Sequence, residues 1–425
     1  MKILHINTSD RVGGAAIAAL RLLRAQRNQG LDAQLLCRDR SLPLSQTEVM
    51  NLKRTPFVRS TKALDRLSIL LHNGCSTHNL WRIDTAQVGN DITRLKAFRE
   101  ADVIHMHWVN QGMLSLSNIA KIITSGKRVV WTLHDMWPFT SLCHQAAACQ
   151  RWRAEGCGHC PLLKHPSAND LSAKVYAQKA KVYAKGHFTA VGCSHWLADL
   201  AAESPLFKGQ QVVSIANALD TQKYAPAGTL GYPNQAQARQ QLGLSTTHRI
   251  LLFMARDVAD PNKGIDYLLA AVKQIVQQAP DWAQQLLVVM VGLNSERYAA
   301  ALPPVVQTKS IAYVESDNQL RLLYQAADML VMPTLMDNLP NTIAEASACG
   351  LPTVAFGVGG VPQMVETGVN GYLAQPASVD DLTRGILSCL TTNSLLSMQR
   401  NARVRAVNNY SEKAVVEAYL KIYQG

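Results

Sequence analysis

The stretch Pro333–Gly350, PTLMDNLPNTIAEASACG, governs the interpretation of the whole sequence. Its second half is predicted to be a helix, because it is rich in alanine, Pro340 suits a first helical turn and Gly350 favours a helix end. Asn341 and Glu345 are four residues apart, so they share a face near the positive end of this helix. Backbone N–H groups there bind a diphosphate, and a carboxylate accepts hydrogen bonds from a ribose diol. The stretch therefore predicts half of a nucleotide-sugar pocket.

The acids of this stretch carry a resemblance to a known family. Asp337 and Glu345 stand eight positions apart, and the residues ACGLPTVA follow at 348–355. This pattern resembles the signature of retaining glycosyltransferases of family 4, which have the GT-B fold. The family signature has Glu at both acid positions, whereas this sequence has Asp at the first. The run Asp-Asn-Leu-Pro at 337–340 resembles the sub-group that makes colanic-acid-like exopolysaccharides.

The resemblance implies an α/β protein of the GT-B fold, with two Rossmann-like domains facing each other across a cleft. Length agrees with two domains, because 425 residues exceed what one ordinary core holds. We predict an N-terminal acceptor-side domain, a hinge, a C-terminal nucleotide-sugar-binding domain, and a last helix that crosses back to the first domain. The predicted boundaries are 1–216, 217–234, 235–408 and 409–425.

The composition is that of a globular protein, with 48% hydrophobic and 17% charged residues. No apolar run approaches the roughly 20 residues of a membrane span, and the N-terminus turns polar at Asn7, too early for a secretory signal. We therefore expect a cytoplasmic protein, either free or peripheral on the inner face of the plasma membrane.

The net charge of +12 calls for an acidic partner. An anionic membrane surface or a lipid diphosphate fits this charge, whereas nucleic acid is not expected, because no nucleic-acid-binding motif is present. A solvated basic face explains the charge as well as membrane docking does. The first sixth of the chain is especially basic, with Arg21, Arg24, Arg27, Arg38, Arg40, Lys53, Arg54, Arg59, Lys62 and Arg66.

Two cations and two glycines are candidates for binding the donor. The resemblance implies that Arg256 and Lys263, which follow a predicted strand, bind the donor's diphosphate, the first as a two-pronged fork and the second as a point charge. It also implies that Gly13 and Gly14, in the turn after the first strand, line the donor site, where glycine lets backbone approach a phosphate closely. The other predicted donor-binding residues are Asn338, Asn341, Thr342 and Glu345.

The predicted strand Arg128–Leu133 runs directly into His134, and an α/β protein places its working groups at such strand ends. The resemblance implies that His134 lies beside the donor sugar, on the side from which the acceptor comes. It further implies that Asp337 binds a sugar hydroxyl and that Glu345 anchors the ribose. These three residues are the catalytic candidates. A histidine that only holds its loop is the alternative for His134.

Two groups of residues have the chemistry of metal ligands. His105 and His107 alternate on one strand without a third ligand nearby, so a substrate-facing or hydrogen-bonded pair is the stronger interpretation. The loop 143–160 contains CGHC, which has the spacing of a zinc knuckle, and two further thiols can complete a tetrahedron. We predict a structural zinc in this loop, with a metal-free thiol cluster or a reversible disulfide as the alternative. The predicted ligands are Cys143, Cys149, Cys157 and Cys160.

Together these features predict a retaining glycosyltransferase that moves a sugar from a nucleotide diphosphate donor to a hydroxyl of a glycan or lipid-linked acceptor in cell-surface polysaccharide synthesis. Because cations and helix N–H groups neutralise the leaving diphosphate, no cofactor is predicted for catalysis. In the front-face mechanism proposed for this class, the leaving phosphate takes the acceptor's proton. The alternatives are a GT-B epimerase or phosphorylase, a catalytically weak or inactive sugar-nucleotide-binding subunit, and a nucleic-acid-binding protein.

Overall fold

The structure is a computed structural model of the chain. Residue contacts divide it into two compact units, the first made of Met1–Ala218 with Val415–Gly425 and the second of Leu219–Ala414. Arg54 of the basic cluster lies outside the described residues. The structure describes all residues except 42–44, 46–47, 54, 155, 315 and 392–394.

The first unit alternates strands and helices along the chain. Its elements are β1 (Lys2–Ser9), α1 (Gly14–Asn28), β2 (Asp32–Asp39), β3 (Val49–Asn51), α2 (Pro56–His72), α3 (Lys96–Glu100), β4 (Val103–Met106), α4 (Leu116–Ile123), β5 (Arg128–Leu133), α5 (Leu171–Tyr183), β6 (Thr189–Gly192), α6 (His195–Ala202), β7 (Gln211–Ser214) and most of α15 (Glu412–Gln424). The strands form one parallel sheet in the order β3-β2-β1-β4-β5-β6-β7. The order reverses between β1 and β4, and sheets of this kind bind ligands beyond the carboxyl ends of the strands at that point.

The strands of the first sheet are apolar along most of their length, because a parallel sheet is covered on both faces. In β5, for example, every residue after Arg128 is buried. The last helix of the chain, α15, completes the core of this unit. Its residues Val415, Tyr419 and Tyr423 pack against strand residues such as Val130.

The second unit repeats the same alternation. Its elements are α7 (Gln235–Gln241), β8 (Arg249–Asp257), α8 (Ile265–Gln278), α9 (Pro280–Gln284), β9 (Leu286–Leu293), α10 (Ser295–Ala299), β10 (Gln307–Ile311), α11 (Asp317–Ala326), β11 (Met329–Met332), α12 (Asn341–Ala348), β12 (Thr353–Phe356), β13 (Gly371–Ala374), α13 (Val379–Thr391) and α14 (Leu395–Tyr410). The strands form a parallel sheet in the order β10-β9-β8-β11-β12-β13, which reverses between β8 and β11. Each unit is therefore a Rossmann-like α/β domain.

The sequence pattern misses two strands and misplaces one proline. The strand β3 has only three residues, and β10, with the sequence QTKSI, is polar and largely exposed. Both strands lie at sheet edges, where backbone pairing rather than apolar burial defines them. Pro340 is the N-cap of α12 rather than part of its first turn, and the helix begins at Asn341.

The basic residues of the first unit divide into buried and exposed groups. Arg38 is buried, and Arg66 is buried between Asp65 and Asp84, with N–O distances of 2.5 and 2.6 Å. These two arginines hold the fold together and do not belong to a solvated basic face. The exposed members include Lys53, Arg59 and Lys62.

Candidate functional site

The second unit brings several predicted donor residues together beyond the carboxyl ends of β8 and β11, the two strands at its reversal point. A short 3-10 turn, Pro261–Lys263, follows β8. The chain leaving β11 is bonded to this turn, because Thr334 Oγ1 and Leu335 N both donate to the carbonyl oxygen of Asn262, over 2.9 and 2.8 Å. These bonds fix the turn that carries Lys263 against the segment after β11.

Two glycines let the loops of this site approach one another. Gly264 has a φ of 71° and Gly359 a φ of 54°, in the left-handed region that favours glycine. A Cβ atom on Gly264 would lie 1.9 Å from the carbonyl oxygen of Pro333, and one on Gly359 would lie 1.9 Å from that of Asp337. Both positions therefore require glycine, for their conformation and for the close packing of the site loops.

The predicted site residues Lys263 and Asp337 form an ion pair. Lys263 Nζ lies 3.1 Å from Asp337 Oδ2, and the two side chains are 30% and 20% exposed. A pair of this kind, open to solvent, contributes little to stability. The ammonium is therefore available to an anionic ligand that competes with the carboxylate for it.

Glu345 is buried on α12, with 6% of its surface exposed. Its Oε2 accepts a hydrogen bond from the hydroxyl of Tyr324 on α11 over 2.8 Å. Burial, together with the nearby carboxylate, raises the pKa of Tyr324 well above its usual value, so the hydroxyl stays a donor. The bond fixes one oxygen of the carboxylate. Tyr324 lies 21 positions before Glu345, and no local sequence signal connects the two residues.

The start of α12 supplies backbone rather than side-chain groups. Within the described residues the helix has no side-chain cap, and Asn338, Asn341 and Thr342 are half-buried around its N-terminus. Arg256 is exposed, at a register shift between β8 and β9. Within the described residues, no hydrogen bond or ion pair connects the Arg256 side chain to the other predicted donor residues, and its binding of the diphosphate stays a prediction.

In the first unit, Gly13 and Gly14 lie between β1 and α1. Gly13 is the N-cap of α1 with a φ of 89°, which requires glycine, and the helix begins at Gly14. Both glycines are exposed, and a Cβ atom on either would meet nothing within 4 Å. The first-turn N–H groups of α1 therefore border open space at the reversal point of this sheet.

His134 is half-buried directly after β5, and the residue that follows it anchors the turn. Asp135 accepts hydrogen bonds from His144 Nδ1 over 2.7 Å, from Trp108 Nε1 over 2.9 Å and from the backbone N of Trp137 over 2.9 Å. Burial alone would raise the pKa of Asp135, but the charge of His144 and these bonds hold it below its usual value. The turn that carries His134 is therefore held by an ionised, fully bonded carboxylate.

A chain of hydrogen-bonded rings runs inward from His134. His134 Nε2 lies 3.2 Å from His107 Nδ1, and His107 Nε2 lies 2.9 Å from His5 Nδ1. The chain ends at Gln26 on α1, whose Oε1 lies 2.7 Å from His5 Nε2. Three hydrogen bonds thus connect the candidate catalytic histidine to a buried amide.

A second branch of this network reaches α15. Gln26 Nε2 donates to the Tyr423 hydroxyl over 2.9 Å, and that hydroxyl lies 2.6 Å from His105 Nδ1. His105 Nε2 lies 2.7 Å from Thr132 Oγ1, which lies 2.8 Å from the Tyr419 hydroxyl. Both ring nitrogens of His105 therefore have protein partners. Nothing in the sequence near His105 predicts these partners, because they come from two other elements, β5 and α15.

Within the described residues, His5, His105 and His107 are the one set of three metal-ligand groups whose atoms all lie within 4.8 Å of one another. Both nitrogens of each ring already have a hydrogen-bond partner. Burial lowers the pKa of His5 and of His134 to about 4, and it lowers the pKa values of His105 and His107 well below the usual value. Four neutral imidazoles with internal partners form a polar network, and we assign no metal to it.

The four predicted zinc ligands lie between β5 and α5, where the described residues form two 3-10 turns and no α-helix. All four are free and half-buried. Two hydrogen bonds to Ser172 join the first and last parts of the loop, because Ser141 Oγ donates to its carbonyl and the backbone N of Gly158 donates to its Oγ. Among the described residues, no three of these thiols lie within 4.8 Å of one another, whereas tetrahedral zinc holds its sulfurs about 3.8 Å apart. Binding zinc therefore requires the thiols of Cys143, Cys149, Cys157 and Cys160 to move closer together.

Comparison with known families agrees with this architecture. Residues 12–223 match the model of Glycosyltransferase Family 4, and residues 248–392 match the model of Glycosyl transferases group 1. Together the two models cover most of the chain, which therefore belongs to the family 4 glycosyltransferases.

Among curated relatives, the chain is 27% identical over 215 residues to an uncharacterized glycosyltransferase of Haemophilus influenzae, covering 50% of this chain and 55% of that protein. It is 29% identical over 197 residues to a D-inositol 3-phosphate glycosyltransferase of Segniliparus rotundus, covering 45% of this chain and 43% of the relative. The matched region thus spans about half the length of these relatives.

Two solved structures show the same fold. HepE of Anabaena, in complex with UDP, has a TM-score of 0.64 at 18% identity over 99% of both chains. Sucrose-phosphate synthase of Thermosynechococcus elongatus has a TM-score of 0.67 at 16% identity over 100% of this chain and 98% of that chain. The chain therefore has the GT-B fold, with two Rossmann-like domains.

Proposed function

We propose that this protein is a retaining glycosyltransferase that moves a sugar from a nucleoside diphosphate to a hydroxyl of a glycan or lipid-linked acceptor in cell-surface polysaccharide synthesis. The observation that carries the proposal is the junction of Lys263, Asp337 and Gly359 beyond adjacent strand ends of the second unit. Family membership supports it. The similar Anabaena protein binds UDP and UDP-glucose, which supports a nucleotide-sugar donor here.

Each group of the second unit has a distinct role in this proposal. Lys263 neutralises the negative charge that grows on the leaving diphosphate, and the N-terminus of α12 adds backbone N–H groups at Asn341 and Thr342. Asp337, released when the diphosphate takes its place on Lys263, accepts a hydrogen bond from a sugar hydroxyl. Glu345 binds the ribose diol. Because a cation and helix N–H groups supply the positive charge, the reaction needs no divalent metal.

The sugar is transferred on one face. The bond between the anomeric carbon and the diphosphate oxygen breaks, and the bond to the acceptor oxygen forms on the face that the diphosphate leaves. The acceptor hydroxyl gives its proton to the departing phosphate oxygen, so no side-chain base is required. His134 serves the acceptor side by accepting a hydrogen bond from a hydroxyl.

A thermal-shift panel of nucleoside diphosphates tests the donor class. We expect one base to raise the Tm, because a ligand at about 100 times its Kd adds about 2.7 kcal/mol to the free energy of unfolding. The shift should be lost in Lys263→Ala and kept in Lys273→Ala, which removes an exposed lysine on α8. If no diphosphate stabilises the protein, or if the Lys263→Ala variant keeps the shift, the donor site is assigned wrongly.

Product analysis separates the proposal from its alternatives. A transferase forms a new glycosidic bond only when donor and acceptor are both present. An epimerase converts one nucleotide sugar into another without an acceptor. A binding subunit is stabilised by the nucleotide and forms neither product. The departure from the family signature at Asp337 would agree with such a subunit.

For the acceptor side, we propose that α2 docks the first unit on an anionic membrane surface. Three of the four buried residues of this helix are polar or charged, namely Thr61, Asp65 and Arg66, and the fourth is Ile69. Its exposed face carries an apolar stripe at spacings of seven, three and four residues, with exposures of 39–60%. Asp65 is the only acid of the helix and is buried, so the stripe is flanked by cations such as Arg59 and Lys62. The stripe residues are Phe57, Leu64, Leu67 and Leu71.

An apolar stripe flanked by cations fits the boundary between headgroups and acyl chains of an anionic bilayer. None of the described helices combines the length and the apolar run that crossing a bilayer requires. The proposal therefore concerns a helix that lies on the membrane, and it fits a lipid-linked acceptor.

Vesicle flotation tests this surface. Wild-type protein should float with vesicles that contain phosphatidylglycerol and should not float with pure phosphatidylcholine. Replacing Leu64, Leu67 and Leu71 together by Ser should abolish flotation, whereas Leu396→Ser with Val404→Ser, which removes exposed apolar groups of α14, should not. A dimer that the α2 substitutions abolish, without vesicle binding, would assign the stripe to a second copy of the chain instead.

We also propose that the loop 143–160 holds one structural zinc. The proposal is supported by the knuckle spacing of Cys157 and Cys160 and by the presence of two further thiols in the same loop, in which the described residues form no α-helix. Elemental analysis of protein purified without added metal should find about one zinc per chain. Cys157→Ser should lose the zinc and lower the Tm, and the matched Cys75→Ser variant, which changes an exposed thiol, should keep both. A stable wild-type protein without zinc would refute this site.

A further inference from the structure

The histidine network of the first unit allows only one set of ring tautomers once the Gln26 amide is oriented. A neutral imidazole has one N–H group and one lone pair. Gln26 Oε1 only accepts, so the facing His5 Nε2 carries the hydrogen. His5 Nδ1 is then a lone pair, and His107 Nε2 must donate to it. Because His107 carries its hydrogen on Nε2, its Nδ1 is a lone pair. His134 Nε2 must therefore carry a hydrogen and donate it to His107 Nδ1.

The opposite tautomer of His134 conflicts with the rest of the chain of bonds. It would place two lone pairs opposite each other across the 3.2 Å between His134 Nε2 and His107 Nδ1. A buried polar atom left without its hydrogen bond costs about 1–3 kcal/mol. The alternative is to reverse every bond back to Gln26, which also reverses the branch through Tyr423. The tautomers are therefore coupled to one buried amide on α1.

We propose that Gln26, His5 and His107 are positioning residues that hold His134 in the Nε2–H tautomer and thereby make Nδ1 the hydrogen-bond acceptor of this ring, which is the role that the proposed transfer needs. The identity of the substrate rests on the proposed function. The tautomer is a property of the protein alone and is measured without substrate. Because His5, His105 and His107 are buried and the pKa values of all four histidines are lowered, the rings stay neutral near neutral pH and no proton from solvent overrides the pattern.

The branch through His5 and the branch through Tyr423 respond differently to a change at Gln26. A carboxylate at this position accepts from both sides, so Gln26→Glu keeps the His5 branch and forces the Tyr423 hydroxyl to donate to it. In the wild-type protein the Tyr423 hydroxyl accepts from Gln26 Nε2 and donates to His105 Nδ1, so the hydrogen of His105 lies on Nε2. In Gln26→Glu the Tyr423 hydroxyl accepts from His105 instead, and the hydrogen of His105 moves from Nε2 to Nδ1. Gln26→Leu has a similar volume and no polar group, so it removes the constraint from both branches. Tyr423→Phe removes only the second branch.

Ring 15N chemical shifts of histidine-labelled protein report the tautomers directly, with assignments from His134→Gln and His105→Gln. Wild type should show protonated Nε2 on His134, and this signal should persist in Gln26→Glu and Tyr423→Phe. In Gln26→Glu, the protonated nitrogen of His105 should change to Nδ1. In Gln26→Leu, both tautomers of His134 should appear.

Turnover supplies a second measurement. If half of the Gln26→Leu molecules hold the wrong tautomer, kcat falls by about twofold, whereas Gln26→Glu restores it. A wild-type His134 protonated on Nδ1 overturns the inference, and so does a folded Gln26→Leu variant with an unchanged spectrum. If the Gln26 variants do not fold, the wild-type and Tyr423→Phe spectra decide. A protein with these tautomers and no transferase activity would refute the proposed function and leave the tautomer assignment of His134 intact.

Discussion

The two units place opposite kinds of chemistry at the same position of the same sheet topology. Beyond β8 and β11, the second unit has a partly exposed ion pair between Lys263 and Asp337. Beside β1 and β4, the first unit has buried, uncharged histidines bonded to one another, with His5 and His107 at its centre. The same fold thus holds a partly exposed pair of opposite charges in one unit and a buried network of neutral rings in the other.

The physical reason lies in solvation. An ion pair at the surface is weak, so an anionic ligand can displace one partner at low cost. A buried polar network is stable only when every donor and acceptor is satisfied, so it holds one arrangement. The second unit is therefore suited to binding an anion, and the first to orienting a side chain.

The largest expected difference between the units is their response to acid. Well above pH 6.5 the histidines of this network are neutral in both the folded and the unfolded chain. As the pH falls toward 4, only the unfolded chain takes up protons, so the free energy of unfolding of the first unit falls. With pKa values of about 4, His5 and His134 each remove about 2 kcal/mol at pH 5. His144, whose pKa is raised beside Asp135 despite its burial, opposes part of this loss.

Urea unfolding at pH 7.5 and at pH 5 measures this effect. Every tryptophan except Trp282 lies in the first unit, so Trp282→Phe makes fluorescence specific for it. The second unit contains only His248 and should lose less stability, as followed by circular dichroism. Equal losses in both units would contradict the buried neutral network.

The next effect is on catalysis in the second unit. Lys263→Ala should lower kcat/KM by about 10²–10³-fold, because a group that stabilises developing charge contributes roughly 3–4 kcal/mol in the transition state. The fold should persist, since the ion pair is partly exposed. Steady-state transfer kinetics with the donor found in the thermal-shift panel measure the loss, with Lys273→Ala as the control. Less than a threefold change would exclude Lys263 from the reaction.

The next effect is a smaller one on the free energy of unfolding. It separates the cost of close packing at a glycine from the cost of the glycine's left-handed backbone conformation. Gly264→Ala and Gly243→Ala change glycines of the second unit with similar φ values of 71° and 62°. A Cβ atom at Gly264 meets the backbone at 1.9 Å, whereas at Gly243 it meets nothing within 4 Å. Gly264→Ala should therefore cost roughly 1–3 kcal/mol more than Gly243→Ala in urea unfolding. Equal costs would show that the loops beyond β8 and β11 are not tightly packed.

The smallest effect concerns the carboxylate of Glu345. Tyr324→Phe removes the hydroxyl that binds Oε2 and should raise the KM for the donor several-fold, because the carboxylate that binds the ribose is then held less firmly. The kcat should change less. Glu345→Gln keeps the shape and loses the charge, and a similar KM for both variants would indicate that Tyr324 acts through Glu345.

Parts of the fold and of the candidate site were predictable from local patterns. The strand Arg128–Leu133 is observed with the predicted bounds, because continuous apolar runs mark strands covered on both faces. Family signatures gave the GT-B fold with its two Rossmann-like domains. The polar edge strand β10 was not predictable, since pairing with β9 rather than its own side chains makes it a strand.

The sequence by itself determined the alternation of strands and helices, the glycosyltransferase family and the residue types at the strand ends, because these depend on neighbours in the chain. Only the tertiary structure decided the partners of those residues. Glu345 is held by Tyr324, and His134 is connected through two other histidines to Gln26. Such pairings join residues from distant strands and helices, and burial makes each of them obligatory, so they follow from packing and not from spacing.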